Sequence, residues 1–334
     1  MDSILKQMDV NHLGIFRALQ IGDLLCAVPA IRALKVNNPY LRITLIGLPW
    51  AQHFVSRFNK YFDAFIEFPG YPGLPERTFD PKRYLDFLAN IQKEQFDLIL
   101  QMQGNGTIVN SMVETWGAKI TGGFYSQYSF KPNDKLYTPY PDIGSEISRH
   151  MRLIEFLGIK AEDTTLEFQF SESENQSALN LLRSHNLEKG KYAVIHAGAR
   201  DTKRWWAPQN FAKVIEHLIG RGLSIVLTGT EQERENVMQV EKLVNAPLVN
   251  LVGQTDLPTF AAVIKNARIL LSNDTGASHI AAATQTPSIV VFLSSDPQRW
   301  APLDTHRHQI IPASKASDLR FVQAKTQELL QTFQ

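Results

Sequence analysis

The sequence predicts an α/β fold built from two halves, each a parallel sheet covered by helices on both sides. Short apolar runs alternate with amphipathic segments along the chain, which is the pattern of strands joined by helices. The rhythm breaks between about residues 160 and 178, where the polar stretch EDTTLEFQFSESENQS shows no helical period. We therefore expect a domain boundary there, with one domain at residues 1–165 and a second at residues 166–334.

The apolar runs give nine expected strands in chain order. They are LGIFRA (13–18), RITLIG (42–47), FDLILQMQ (96–103), AKITGGF (118–124), YAVIHAG (192–198), LSIVLTG (223–229), PLVNLVG (247–253), ARILLS (267–272) and PSIVVFL (287–293). Helices are expected between them. In DLLCAVPAIRALKVN, Leu24, Val28 and Ile31 recur on one face, and PQNFAKVIEHLIGRG starts with proline and ends with glycine.

Composition limits the classes of function. Lys and Arg total 34 against 33 Asp and Glu, so no overall charge attracts nucleic acid. The single cysteine, Cys26, excludes an intrachain disulfide, and no Cys/His cluster has zinc spacing. The first residues, MDSILKQMDVNHLGIF, lack a signal-peptide pattern, and no apolar run approaches the roughly 20 residues that span a bilayer. We therefore expect a cytoplasmic protein.

Polar residues directly after buried strands carry the functional signal, because open parallel sheets bind ligands at the carboxyl ends of their strands. The first such stretch is RALQIGDLLCAVPAI. Gly22 permits a tight turn, and Asp23 falls at the start of the following helix. Asp23 is either a functional carboxylate or simply a helix cap.

The second stretch is IHAGARDTKRWW, where three cations follow small residues. Arg200, Lys203 and Arg204 could hold phosphate oxygens in a loop that a ligand can approach. The loop lacks the G-x-x-x-x-G-K-[ST] pattern of a P-loop. The alternative is a solvated basic loop with Trp205 and Trp206 in the core.

The third stretch, LLSNDTGASHIAAA, ends a strand and starts a helix. Asp274 and Thr275 are expected to cap that helix, whose first N–H groups attract an anion. His279, one turn in, lies near the same end or is a structural histidine. In LTGTEQERE, Glu231 follows a strand and either accepts hydrogen bonds from a ribose or base, or is a helix-start acid.

The order of these motifs along the chain resembles glycosyltransferase family 9, the ADP-heptose:lipopolysaccharide heptosyltransferases and their relatives. The resemblance covers nearly the whole chain and is dense from 190 to 303. Its motifs are G-D-L (22–24), H-A-G-A-R-x-x-K-x-W (196–205), L-T-G-x-E (227–231), N-L-V-G-Q-T (250–255), N-D-T-G-x-x-H-x-A-A-A (273–283) and D-P-Q-R-W-A-P (296–302).

The resemblance implies a GT-B architecture, in which two Rossmann-like domains face each other across a cleft and the last helix crosses back to the N-terminal domain. The acceptor, a glycolipid or oligosaccharide such as lipopolysaccharide core, would bind the N-terminal domain. The nucleotide sugar, ADP-linked, would bind the C-terminal one. Members invert the anomeric centre without a metal or other cofactor, and no D-x-D motif for a metal occurs here.

The resemblance also implies roles for single residues. Asp23 matches the base that deprotonates the acceptor, with Gly22 and Arg17 on the acceptor side. Lys203 matches the cation that stabilises the leaving diphosphate. The remaining donor-binding positions are Gly198, Ala199, Glu231, Asp274, Thr275, Gly276 and His279. Because Gly198 and Ala199 stand where relatives often carry hydroxyl residues, only backbone N–H groups there could bind phosphate.

Three further expectations concern partners and rival functions. The aromatic and basic segment 50–87 is a candidate for contact with the inner leaflet, unless Phe54, Phe58, Phe62 and Phe65 are the buried face of a helix. A sugar-nucleotide epimerase of GT-B form and a non-catalytic nucleotide-sugar-binding module remain alternatives. A dehydrogenase is disfavoured because G-x-G-x-x-G follows none of the expected strands.

Overall fold

The computed structural model describes residues 3–333, which form two units. The first unit ends at Thr165 and the second begins at Leu166. Each unit holds one six-stranded sheet whose neighbouring strands all run parallel. The predicted α/β class with two parallel sheets is confirmed.

The first unit has a sheet in the order β3-β2-β1-β4-β5-β6. Its strands are β1 (His12–Phe16), β2 (Arg42–Gly47), β3 (Ala64–Glu67), β4 (Leu98–Gln101), β5 (Ile120–Tyr125) and β6 (Tyr137–Pro139). Its helices are α1 (Ile4–Gln7), α2 (Ile21–Asn37), α3 (Ala51–Arg57), α4 (Pro81–Ile91), α5 (Val109–Glu114) and α6 (Glu146–Phe156). The strand order reverses between β1 and β4, so a crevice opens between the loops that follow them.

The second unit repeats this topology, with the order β12-β11-β10-β7-β8-β9. Its strands are β7 (Tyr192–His196), β8 (Ser224–Thr228), β9 (Val249–Asn250), β10 (Ile269–Asn273), β11 (Ser288–Phe292) and β12 (His308–Pro312). Its helices are α7 (Glu172–Ser184), α8 (Pro208–Ile219), α9 (Arg234–Glu241), α10 (Leu257–Asn266), α11 (Gly276–Thr284), α12 (Pro297–Trp300) and α13 (Leu319–Thr332). Here the reversal lies between β7 and β10.

Burial of the central strands holds each sheet in place. Every residue of β7, β10 and β11 is buried, as expected for strands covered by helices on both faces. Each fully buried Val, Leu or Ile contributes roughly 1.5–3 kcal/mol of transfer free energy. The strand ends are therefore fixed points from which the loops that follow can position side chains.

All nine expected strands are present, and three more were not predicted. The additional strands β3, β6 and β12 each lie at the edge of a sheet. β3 and β6 are short, and β6 and β12 each end in proline, Pro139 and Pro312. Edge strands need no continuous apolar run and tolerate proline, so the hydrophobic pattern that reveals central strands is weak there.

One helix differs from the expectations. The polar boundary stretch contains the start of α7, where the Ser171 hydroxyl accepts from the Glu174 N–H (3.2 Å) and the Glu174 carboxylate accepts from the Ser171 N–H (2.9 Å). The last helix, α13, packs on α8 and β11 of its own unit, where Val322 and Leu329 are buried in the core. Its crossing to the N-terminal domain stays a prediction.

The aromatic segment is largely core, but not as one helix face. Phe54, Phe58 and Phe62 are at most 2% exposed, and the rings of Phe54 and Phe58 lie 4.4 Å apart between centroids. Helix α3 ends at Arg57, and Phe65 belongs to β3. No helix within residues 3–333 combines the length and apolar character needed to cross a bilayer.

Candidate active site

Asp23 lies at the sheet crevice of the first unit, in the first turn of α2. The strand β1 ends at Phe16, and a short loop leads to Gln20, the N-cap of the helix. The Asp23 Oδ2 atom accepts a hydrogen bond from the Gln20 N–H at 3.3 Å, so Asp23 does cap the helix. Its side chain is nevertheless 21% exposed, which leaves the carboxylate within reach of a substrate. Gly22, beside it, is buried.

Arg17 lies beneath Asp23 and is fully buried. Its Nε donates to the Asp23 main-chain oxygen at 2.9 Å, and its Nη1 donates to the Met102 carbonyl after β4. Its Nη2 lies 3.7 Å from Asp23 Oδ1 and 3.0 Å from Glu146 Oε1. The guanidinium of Arg17 is thus bound by protein groups and has no exposed surface. Contact of Arg17 with the acceptor stays a prediction.

Sequence reasoning missed Glu146, the first residue of α6. Its carboxylate is buried between Arg17, Arg149 (3.3 Å) and His150 (3.4 Å). A glutamate directly after the capping Ser145 is a common helix start, so nothing in the local sequence sets it apart. Only the packing of α6 on α2 brings Glu146 to the first-unit crevice.

In the second unit, strand β7 ends with a buried histidine. His196 Nδ1 lies 3.2 Å from Thr228 Oγ1, and its ring packs on Phe260 with centroids 5.2 Å apart. Burial lowers the pKa of His196, although the nearby Glu233 carboxylate opposes this effect. Gly198 and Ala199, which follow, are also buried. At Gly198 and Ala199 the chain therefore presents backbone groups to a ligand rather than side chains.

The cations of the same loop are exposed. Lys203 lies in a 3₁₀ turn, Thr202–Arg204, whose cap Asp201 accepts a hydrogen bond from the Lys203 N–H at 3.0 Å. Among residues 3–333, neither Arg200 nor Lys203 pairs its side chain with a carboxylate. Arg204 differs, because its Nη1 lies 3.5 Å from Asp274 Oδ2 and donates to the Asp274 carbonyl at 3.3 Å.

Asp274 is an internal anchor for this loop. Its side chain is 3% exposed, and its Oδ2 accepts a hydrogen bond from the Ser295 hydroxyl besides pairing with Arg204. Thr275 alone caps α11, through Thr275 Oγ1 and the Ala277 N–H at 3.3 Å. Asp274 and Thr275 were both expected to cap α11. Only Thr275 does so, whereas Asp274 joins the cationic loop to the start of the helix.

Asn273, the last residue of β10, also binds the loop after β7, which accounts for the asparagine at the end of a core strand. Its amide Nδ2 donates to the Ala197 carbonyl at 2.7 Å, and its Oδ1 accepts from the Trp206 N–H at 3.0 Å. The end of β10 thereby holds both ends of the loop that follows β7. His279, one turn into α11, is buried with its ring 6.2 Å from that of Trp300.

Glu231 is engaged within the protein. Its two carboxylate oxygens each lie 2.6 Å from a nitrogen of Arg234, whose Nη2 also donates to the Val252 carbonyl at 2.9 Å. The hydrogen bond from Arg234 lowers the pKa of Glu231. Gly253 has φ +70°, and a Cβ there would lie 2.3 Å from Glu231 Oε2. Contact of Glu231 with a nucleoside stays a prediction.

Glu233, which sequence reasoning missed, lies against the backbone of Gly198. Its Oε2 accepts from the Thr230 N–H (2.7 Å) and from the Thr230 hydroxyl (2.8 Å). The T-x-x-E spacing is a capping-box signature that the sequence does contain. The approach to Gly198 has no such signature, because it depends on the adjacency of β7 and β8.

The structure thus gathers Lys203, Asp274, Thr275 and Gly276 at the strand crevice of the second unit, with Glu231 set apart beside Gly253. Asp23 occupies the equivalent crevice of the first unit. A cavity of about 640 Å³ in that unit lies elsewhere, between α4 and the edge strand β3. Because its lining includes none of the residues described above, we do not assign it to the reaction.

Comparisons with known proteins agree on one family. The family model described as glycosyltransferase family 9 (heptosyltransferase) matches residues 84–328. A lipopolysaccharide heptosyltransferase 3 from Escherichia coli is 31% identical over 84% of this chain and 83% of its own length.

Solved structures share the fold. A family 9 glycosyltransferase from Veillonella parvula superposes with a TM-score of 0.77, at 17% identity over 94% of this chain and 89% of that one. The E. coli ADP-heptose lipopolysaccharide heptosyltransferase II superposes with a TM-score of 0.76, at 17% identity over 96% of this chain and 99% of that one. The GT-B fold of these enzymes is therefore the fold of this chain.

Proposed function

The chain belongs to glycosyltransferase family 9, and from this membership we propose that it transfers a heptose from ADP-heptose to a saccharide hydroxyl of lipopolysaccharide core. The names of the E. coli relatives support both the donor and the acceptor. One structural observation carries the proposal: Lys203 is exposed and makes no ion pair with residues 3–333, in a loop that Arg204 and Asp274 tie to the start of α11.

The start of α11 and Lys203 together suit a diphosphate. The first N–H groups of a helix carry partial positive charge, and an ammonium group adds a full one. As the bond between the anomeric carbon and the diphosphate oxygen breaks, negative charge develops on the leaving ADP. Lys203 and the helix start stabilise that charge, which is the task a metal ion performs in other transferases.

Asp23 supplies the base in the proposed mechanism. Its carboxylate takes the proton of the acceptor hydroxyl while that oxygen attacks the anomeric carbon from the face opposite the diphosphate. One C–O bond forms as the other breaks, so the anomeric configuration inverts. Asp23 then returns its proton to water. No metal ion takes part in this scheme.

The remaining donor residues divide into contacts and supports. We assign the backbone N–H groups at Gly198, Ala199 and Gly276 to phosphate oxygens, because small residues let a ligand approach the main chain. Asp274 acts through Arg204 rather than by touching the donor. Glu231 would reach the nucleoside only by sharing its carboxylate with Arg234.

The test is release of nucleoside diphosphate from ADP-heptose and from ADP-, GDP- and UDP-hexoses, with and without deacylated lipopolysaccharide core. We expect turnover of ADP-heptose only when the acceptor is present, and about tenfold weaker ADP binding in Lys203→Gln, which loses a charge-assisted contact. Lys213→Gln, an exposed lysine of α8, is the control and should bind ADP normally. Sugar-nucleotide interconversion without acceptor would contradict the proposal and favour an epimerase.

Contact with the inner membrane is a separate proposal. The buried aromatic side chains of the segment 50–87 cannot enter a bilayer, so the contact would rest on its exposed cations Lys60, Lys82 and Arg83. Sedimentation with anionic and with neutral vesicles at low salt tests it. Binding to anionic vesicles alone is expected, and a protein that stays in the supernatant with both would refute the contact.

A further inference from the structure

A buried charge cluster lies beneath Asp23, formed by Arg17, Glu146, Arg149 and His150. The side chains of these four residues are at most 5% exposed. We call them the Glu146 cluster, because the Glu146 carboxylate contacts each of the other three. Charges are rarely buried to this degree unless they are paired and hydrogen-bonded.

The two arginines of the cluster also contact groups outside it. Arg149 Nη2 donates to the Asp142 carbonyl at 3.1 Å, and its guanidinium lies 5.2 Å from the centre of the Tyr140 ring. Arg17 Nη1 is bonded to the Met102 carbonyl. The cluster also reaches Asp23, because Arg17 Nη2 lies 3.7 Å from Asp23 Oδ1.

Arg17 is therefore shared by two carboxylates. Its Nη2 lies closer to Glu146 (3.0 Å) than to Asp23 (3.7 Å). Its Nε bond to the Asp23 main chain fixes the guanidinium relative to the first turn of α2. The Glu146 carboxylate thus neutralises part of the positive charge of Arg17, which would otherwise act on Asp23 alone.

We infer that Glu146 is a positioning residue that keeps Asp23 basic and oriented by holding Arg17. The inference rests on the proposed role of Asp23 as the base. A base must be charged at working pH yet still attract a proton, and an unshared guanidinium would stabilise its carboxylate too strongly.

The test is Glu146→Gln, read out by the pH dependence of kcat/KM and by ¹³C NMR titration of labelled aspartate carboxyls, with Asp23 assigned from the spectrum of Asp23→Asn. Loss of the Glu146 charge leaves more positive charge on Asp23. The acidic limb of the profile and the Asp23 titration should both move down by about one pH unit. The kcat above that limb should fall roughly threefold, because the base is weaker.

Matched variants separate this role from a structural one. Glu155→Gln changes an exposed glutamate of the same helix and should move neither readout. Glu146→Asp keeps the charge but draws the carboxylate back from Arg17, so it should shift the Asp23 titration in the same direction as Glu146→Gln and by less. This variant serves if Glu146→Gln does not fold. His150→Gln, measured in parallel, removes the other titratable group in contact with Glu146, so that its titration is not mistaken for that of Asp23.

The NMR titration tests the coupling of Glu146 to Asp23 independently of activity. An Asp23 titration that is the same in the wild type, Glu146→Gln and Glu146→Asp would overturn it. If Asp23→Asn retains turnover while the Asp23 titration still moves, the coupling stands and the proposed base is wrong.

Discussion

Gly198 shows how a single residue shapes the candidate donor loop. The carboxyl group of Glu233 occupies the space that a side chain at this position would take, and it caps the turn at Thr230 from there. The absence of a Cβ therefore serves packing between two neighbouring strand ends as well as access for a ligand.

Gly198→Ala is expected to lower the free energy of unfolding by about 1–2 kcal/mol. The new Cβ would lie 2.3 Å from the Glu233 carboxyl carbon, so the carboxylate must leave and its hydrogen bonds to Thr230 are lost. Urea unfolding measures the change. In a Glu233→Ala background the same substitution should cost almost nothing, and an equal cost in both backgrounds would contradict this account.

Residue types and spacings predicted where the charges of the site lie, but not which of them are exposed. Asp23 and Lys203 are partly or fully exposed, whereas Arg17 and Asp274 are buried and paired with other protein groups. The contacts of all four with substrates stay predictions. The sequence around a charged residue does not record what packs above it, so roles that depend on burial require the fold.

At the scale of elements, the two crevices follow from the strand order. In the first unit the crevice lies between the loops after β1 and β4, because the strand order reverses between these two strands. In the second unit it lies between the loops after β7 and β10 for the same reason. The central strands were predictable from their apolar runs. Of the four edge strands, β9 was predicted from the run PLVNLVG, whereas β3, β6 and β12 were not, because their residues are only partly buried and form no continuous apolar run.

The edge strand β12 carries a pH dependence of stability. His308, its first residue, lies with Nδ1 2.9 Å from the hydroxyl of Ser288 at the start of β11, and burial lowers its pKa to about 4. In the unfolded chain the pKa is near 6.5, so between these values the unfolded state binds more protons. Stability should therefore fall as the pH drops, by about 1.6 kcal/mol between pH 6.5 and 5 from this group.

Urea unfolding at several pH values measures this slope. Other histidines contribute to it, since the pKa values of His12, His196 and His217 are also lowered. His308→Gln should therefore lower the number of protons taken up on unfolding by about one, so the slope becomes smaller but does not vanish. An unchanged slope in this variant would show that His308 is not buried in its neutral form.

At the scale of the whole molecule, the proposed groups are divided between two units with separate cores. Asp23 belongs to the first unit, and Lys203 with the start of α11 belongs to the second. The base and the group that stabilises the leaving diphosphate are thus separable by mutation. Donor binding should depend on the second unit's residues, and transfer on both.

The role of Asp23 as the base is tested most directly by comparing wild type with Asp23→Asn in two assays. These are ADP-heptose binding by calorimetry and acceptor-dependent release of ADP. Asparagine keeps the size of the side chain but cannot take a proton. We expect turnover to fall by about 10²–10⁴-fold while the Kd for the donor changes less than about threefold. Turnover near the wild-type rate in Asp23→Asn would contradict the account.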